Sequence, residues 1–140
     1  MNILDFEESE SDYFDYDTVQ KVWGKDTDIS VVFDNKELGK SLDKDEISLR
    51  GVVRLLGSKL KFVEENRAAI EKTVMSANIE NLTENDLKML DLNWALFTYF
   101  VDEGECELYL YLKSETDVLD GEEIAVTVHN DNTVTVDDIV

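Results

Sequence analysis

The spacing of apolar residues changes period along this chain, and each change marks an element. From 49 to 74, Leu49, Val53, Leu56, Leu60, Val63, Ile70 and Val74 recur at intervals of three, four or seven, which lays them along one stripe of a long helix. Arg67 interrupts the stripe, Ser48 stands where a cap is wanted, and Arg54, Lys59, Lys61, Glu64 and Glu65 fall on the remaining faces. Thr83 and Asp86 have the spacing of a capping box and predict a short helix running through Leu87 and Leu90.

Beyond this point the period falls to two. In "NWALFTYFV" the set Trp94, Leu96, Thr98 and Phe100 alternates with Ala95, Phe97, Tyr99 and Val101. Leu87, Leu90, Trp94, Phe97 and Val101 also satisfy a helix, but the alternation favours a strand from Trp94. "DEGE" (102–105) supplies a turn. In "ECELYLYLK" (105–113) Cys106, Leu108, Leu110 and Leu112 alternate with Glu107, Tyr109, Tyr111 and Lys113, so a strand here buries the first set and displays the second. "LDGEE" turns the chain again, "IAVTV" (124–128) is a further strand, and "HNDNT" leads into Val134 and Val136. Upstream, "DISVVFD" (28–34) and the region of Trp23 read as strands. The expected fold is a single α+β domain over 1–140, an antiparallel sheet with a C-terminal four-stranded meander, packed against one long helix and a short one. Residues 1–12 are expected as a disordered acidic lead, with Tyr13–Asp17 leading into the first strand as part of the binding surface.

Charge adds a second pattern. The formal net charge is −20, with −7 in residues 1–17, +3 in 50–72 and −11 in 102–140. Hydrophobic residues make up 43% of the chain, enough for a core despite self-repulsion. This balance opposes direct contact with nucleic acid or an anionic membrane and attracts cationic proteins at long range. The start of the chain has no basic segment followed by an apolar run, and a cytoplasmic location is expected.

Chemistry-bearing residues are few. Cys106, the single cysteine, sits on the inward set of its strand and is expected in the core. His129, the single histidine, lies beside a predicted turn with no nucleophile or orienting group to complete a catalytic set. A calcium loop fails in both windows that approach one: "DTDISVVFDNKE" lacks the central glycine, and "DNKELGKSLDKD" places Lys36 and Leu38 at ligand positions. Neither a metal, a cofactor nor a catalytic residue is expected.

Carboxylates and aromatics coincide in two segments. Tyr13, Phe14 and Tyr16 lie among Asp12, Asp15 and Asp17, while Tyr109 and Tyr111 follow Glu103, Glu105 and Glu107. Rigid apolar area beside negative charge suits the capture of Lys or Arg at an interface. The partner-binding set read from the sequence is therefore Asp12, Asp15, Tyr16, Asp17, Glu103, Glu105, Glu107, Tyr109 and Tyr111, facing a basic protein. Two other readings accompany it: a DNA-mimic anti-restriction or anti-defence protein whose rows of carboxylates imitate phosphates for a DNA-binding enzyme, and an acidic housekeeping domain with no steered partner.

From Val22 onward the layout resembles small uncharacterised bacterial domains found among candidate immunity proteins of toxin systems. The carriers are Trp23, the apolar helix around "VVRLL", "LNWALFTYFVDEGECELYLYL" and "GEEIAVTVHNDNTVTVDDIV", with Glu122 after Gly121 where some of these families place a histidine. The resemblance implies an intracellular, non-enzymatic role; together with the acidic and aromatic segments, the leading expectation is an immunity-type inhibitor of a basic toxin or nuclease.

Overall fold

The computed structural model describes residues 1–34 and 46–140, apart from the side chains of 46–48. The second window tested as a calcium loop lies outside this range from residue 35 onward. The described chain forms β1 (Phe6–Glu8), β2 (Tyr16–Val22), β3 (Lys25–Asp34), α1 (Glu46–Glu65), α2 (Arg67–Ser76), α3 (Glu84–Lys88), β4 (Leu90–Phe100), β5 (Glu105–Ser114), β6 (Ile124–Val128) and β7 (Val134–Ile139). Short 3-10 turns at Ile3–Asp5 and Asp117–Leu119 complete it.

The α+β class holds, while the sheet differs from expectation. All seven strands belong to one mixed sheet, in spatial order β1 to β7. Strands β3 and β4 run parallel, joined by a crossover that carries the helices, and every other neighbouring pair is antiparallel. The C-terminal strands are thus half of a larger sheet rather than a unit that the helices cover alone. A parallel joint between distant segments leaves no local signature.

The helices lie on one face. Val52, Leu56, Val63, Ile70 and Val74 pack in one core with Ile29, Val31, Phe97, Leu108, Leu110 and Val126, all at most 1% exposed. The helical middle breaks at Asn66, whose side chain donates 2.8 Å to the Phe62 carbonyl, so two helices replace the single one expected. Ser48 lies inside α1 rather than at its cap, since the helix begins at Glu46. The capping box at Thr83 forms, with Thr83 and Asp86 each accepting from the other's backbone N–H.

Trp23 sits in a turn, not a strand. Val22 pairs with Lys25, and Trp23 and Gly24 take φ of +50° and +79°, the left-handed pair of a tight two-residue hairpin. The indole compensates for the strain by donating 3.0 Å to the Val63 carbonyl, and the Trp23 N–H donates 2.7 Å to Glu64. Arg67 explains its own intrusion into the apolar stripe: it covers the Trp23 ring at 4.6 Å, donates to the Leu90 carbonyl and pairs with Glu71. One cation ties the β2–β3 turn to the start of β4.

Lys59 also departs from the solvated position its charge suggests. It is 4% exposed on the stripe between Leu56 and Val63. Its ammonium donates to the carbonyls of His129 (2.6 Å) and Asn130 (2.8 Å) and to the Asn132 side chain, so α1 grips the β6–β7 hairpin. Burial holds its ionisation below the usual lysine range, partly opposed by nearby Cys106 and Asp131. Among the described residues, no helix is long and apolar enough to cross a membrane.

Candidate functional site: the helix-free face of the sheet

Alternation along each strand sends every second side chain away from the helices. On β4 these are Trp94, Leu96, Thr98 and Phe100, and on β5 they are Glu105, Glu107, Tyr109, Tyr111 and Lys113. Register then assembles rows across the sheet. Asp17, Ser30, Leu96, Tyr109 and Thr127 form one, and Val19, Asp28, Trp94, Tyr111 and Ala125 form the next. Val32, Thr98 and Glu107 make a third, with Asp34, Phe100 and Glu105 beyond. No described helix packs on this face.

Its centre is aromatic. Trp94 and Tyr111 are register partners whose rings stack at 4.2 Å with 7° between their planes. Tyr109 lies one row away and donates 2.7 Å to Glu107. Burial, reinforced by that carboxylate, pushes the Tyr109 phenol well above its ordinary range. Burial raises Tyr111 too, with the charges of Asp137 and Glu123 adding to it. Both phenols remain neutral throughout the physiological range. Trp94, Leu96, Phe100, Tyr109 and Tyr111 are all partly buried, because neighbours on the same face flatten against one another, and among the described residues no helix or strand lies over them.

Carboxylates surround this centre. Asp17, on β2, accepts 3.1 Å from Ser30, and Asp28 is exposed on β3. At the opposite side Asp137 accepts from the buried Thr127 hydroxyl, and Asp138 is exposed beside it. Glu105 and Glu107 face the β6–β7 turn across a shallow concavity shared with His129 and Asp131. A larger groove of about 550 Å³ lies towards β1, lined by Asp5, Glu7, Asp17, Val19 and Asp28 among others. Lys21 and Lys113 are the cations whose strand positions alternate onto this face, near the ends of β2 and β5.

The nine residues singled out from the sequence divide into three groups. Asp17, Glu105, Glu107, Tyr109 and Tyr111 share the open face, with Asp17 and Tyr109 three strand spacings apart, or about 14 Å. Asp12 and Glu103 are exposed at turns, the first between β1 and β2 and the second between β4 and β5. Asp15 and Tyr16 serve the fold. Asp15 accepts 2.8 Å from the Phe33 N–H, prolonging the β2–β3 pairing. Tyr16 is 7% exposed, on the helix side, with its ring edge-on to Phe33 at 5.9 Å, so it is corrected from surface anchor to core residue. Residues 6–8, within the acidic lead, are an edge strand paired with β2.

Trp94, Leu96, Phe100 and Asp28 were missed. The signal for the first three was available: a hairpin across 102–104 that buries Leu108 must place Phe97 opposite it, which turns Trp94 outward. Among the described residues, no group of three or more His, Cys, Asp or Glu side chains is arranged to hold a metal ion. Cys106 is buried, and burial raises its thiol above the usual range. Compared with known proteins, the chain matches no family model, no curated protein and no solved structure.

Proposed function

We propose that this chain is a non-enzymatic, acidic protein-binding module that docks a basic protein on the open face of its sheet, most concretely an immunity-type inhibitor of a basic toxin or nuclease. The observation that carries the reading is the partly buried aromatic strip of β4 and β5 bordered by Asp17, Asp28, Glu105, Glu107 and Asp137. Stacked rings supply rigid contact area, and carboxylates around them attract and orient cations. A chain of net charge −20 speeds such encounters and repels anionic competitors. Aromatics interrupt the carboxylates where a DNA mimic needs continuous acidic rows, which ranks protein docking ahead of that alternative.

The test is capture from native cytosol at low salt, comparing the wild type with Trp94→Ser/Tyr111→Ser, a variant that keeps every charge. A basic protein retained by the wild type, released as salt rises and lost by the variant, is the expected result. Equal retention by both removes the open face from consideration. Where the captured partner is purified, its association rate should fall about tenfold or more as salt rises from about 20 to about 200 mM, and an unchanged rate rules out steering.

A further inference from the structure

The docking reading leaves the shape of the occupant open, and the geometry of the face restricts it. We propose that the occupant is a cationic amphipathic helix of the partner protein, lying along β4 and β5 on the face where no described helix packs. The inference rests on the docking proposal and adds to it a conformation, an axis and a residue pattern.

Backbone hydrogen bonding excludes an extended peptide as the natural occupant. Strands β4 and β5 are each paired on both sides, β4 by β3 and β5, and β5 by β4 and β6. The middle of the sheet therefore offers no free N–H or C=O edge for an added strand. An extended segment laid flat on the strip buries its own backbone polar groups against Trp94, Leu96 and Tyr111 without partners, an arrangement that disfavours it. A helix satisfies those groups internally and brings only side chains to the surface.

Dimensions agree. The strip from Trp94 to Phe100 covers six residue steps of β4, about 20 Å, which is the rise of about 13 helical residues. Across the strands, β3 with Asp28 and β7 with Asp137 and Asp138 lie four spacings apart, about 19 Å. A helix about 10–12 Å in diameter centred over β4 and β5 reaches both borders only through long side chains on its flanks. Negative charge on both borders demands Lys or Arg there, and the rings between them demand an apolar ridge at i, i+3 or i+4, and i+7. The opposite face is already covered by helices in this manner, with Val52, Leu56 and Val63 of α1 seated on the strands, so a partner helix completes a layered arrangement the fold has half built.

The experiment uses the full chain and two synthetic peptides of identical composition, about 15 residues of Leu, Ala, Lys and Arg. One places leucines at helical spacing with basic flanks, and the other alternates apolar and basic residues. Each is titrated into isotopically labelled protein at low salt, with amide shifts and the Trp94 indole N–H followed by NMR. The expected result is saturable shifts confined to the outward positions of β4 and β5, an affinity about tenfold or more tighter for the helically patterned peptide, and a gain of its helical circular dichroism on binding. Equal affinity of the two peptides on the open face overturns the helical occupant and leaves the docking proposal standing. Shifts confined to the helix side, or none with either peptide, overturn both.

Discussion

Helix α1 contains two glycines whose replacement by alanine should change stability in opposite directions, and the difference can be worked from the structure. Both sit in the helix interior, where alanine gains about 1 kcal/mol in propensity over glycine. A Cβ at Gly57 meets only the Met1 methyl at 3.6 Å, an ordinary contact. Gly57→Ala should keep most of the gain, about 0.5–1 kcal/mol. A Cβ at Gly51 lies 2.9 Å from the Tyr99 hydroxyl oxygen and 3.3 Å from its ring carbon. The Tyr99 ring is not free to swing, since it stands edge-on to Phe33 at 6.0 Å, and Phe33 is itself edge-on to Tyr16. Overpacking of this kind costs about 1–3 kcal/mol, which exceeds the propensity gain, so Gly51→Ala should lose about 1 kcal/mol net. For a domain of 140 residues an unfolding entropy of about 0.3 kcal/mol/K converts these to a rise of about 2–3 °C for Gly57→Ala and a fall of about 3 °C for Gly51→Ala. Urea unfolding with a common m-value, together with thermal melts, measures both. Tyr99→Phe removes the offending oxygen and should recover much of the Gly51→Ala loss in a double-mutant cycle. Equal shifts for the two single variants, or no recovery with Tyr99→Phe, would refute the close approach of α1 to β4.

Two further outcomes bear on the core and on acid stability. Lys59→Met keeps the aliphatic stem but removes the ammonium from three oxygen acceptors of the β6–β7 hairpin; it should cost about 2–3 kcal/mol and speed hydrogen exchange at Asn132 more than at Phe97, and an unaltered melt with unaltered exchange contradicts the grip. The Asp86 carboxyl is held below the usual aspartate range by the Thr83 N–H, then by the Thr83 and Thr116 hydroxyls. Because its folded value lies below its unfolded one, the stability it contributes is complete above about pH 4 and is lost as pH falls through the folded value. Asp86→Asn should therefore flatten the acid limb of the stability curve relative to wild type, and superimposable limbs would show that the capping box adds nothing.

Much of the fold was legible where structure follows local spacing. The Cys106–Lys113 alternation, the Thr83 box and the apolar rows of β6 and β7 each describe one element in isolation. Other features depend on partners distant in the chain. Between Leu92 and Trp94 a bulge shifts the register of β4 against β5, breaking the alternation and hiding the first four residues of the strand from a periodicity argument. Trp23 carries no turn propensity; its left-handed backbone is held by Val63 and Glu64 at the end of α1 and Arg67 at the start of α2, some 40 residues away. Tyr16 and Asp17 are neighbours with identical surroundings in sequence, yet the strand sends one to Phe33 and the other to Ser30. Parity alone decides which of them reaches the open face, and the pairing with β3 sets it.

The parallel joint between β3 and β4 carries a consequence for how the chain assembles. On either side of it, β1–β3 and β4–β7 close through turns between sequential neighbours and can form early. Uniting them requires Asp28–Asp34 to find Trp94–Phe100 across a separation of 66 residues, and such closure is entropically slow. The seam should therefore be the last part of the sheet to zip and the first to open under force. The aromatic strip borders that seam, so the open face matures only when the two halves have met.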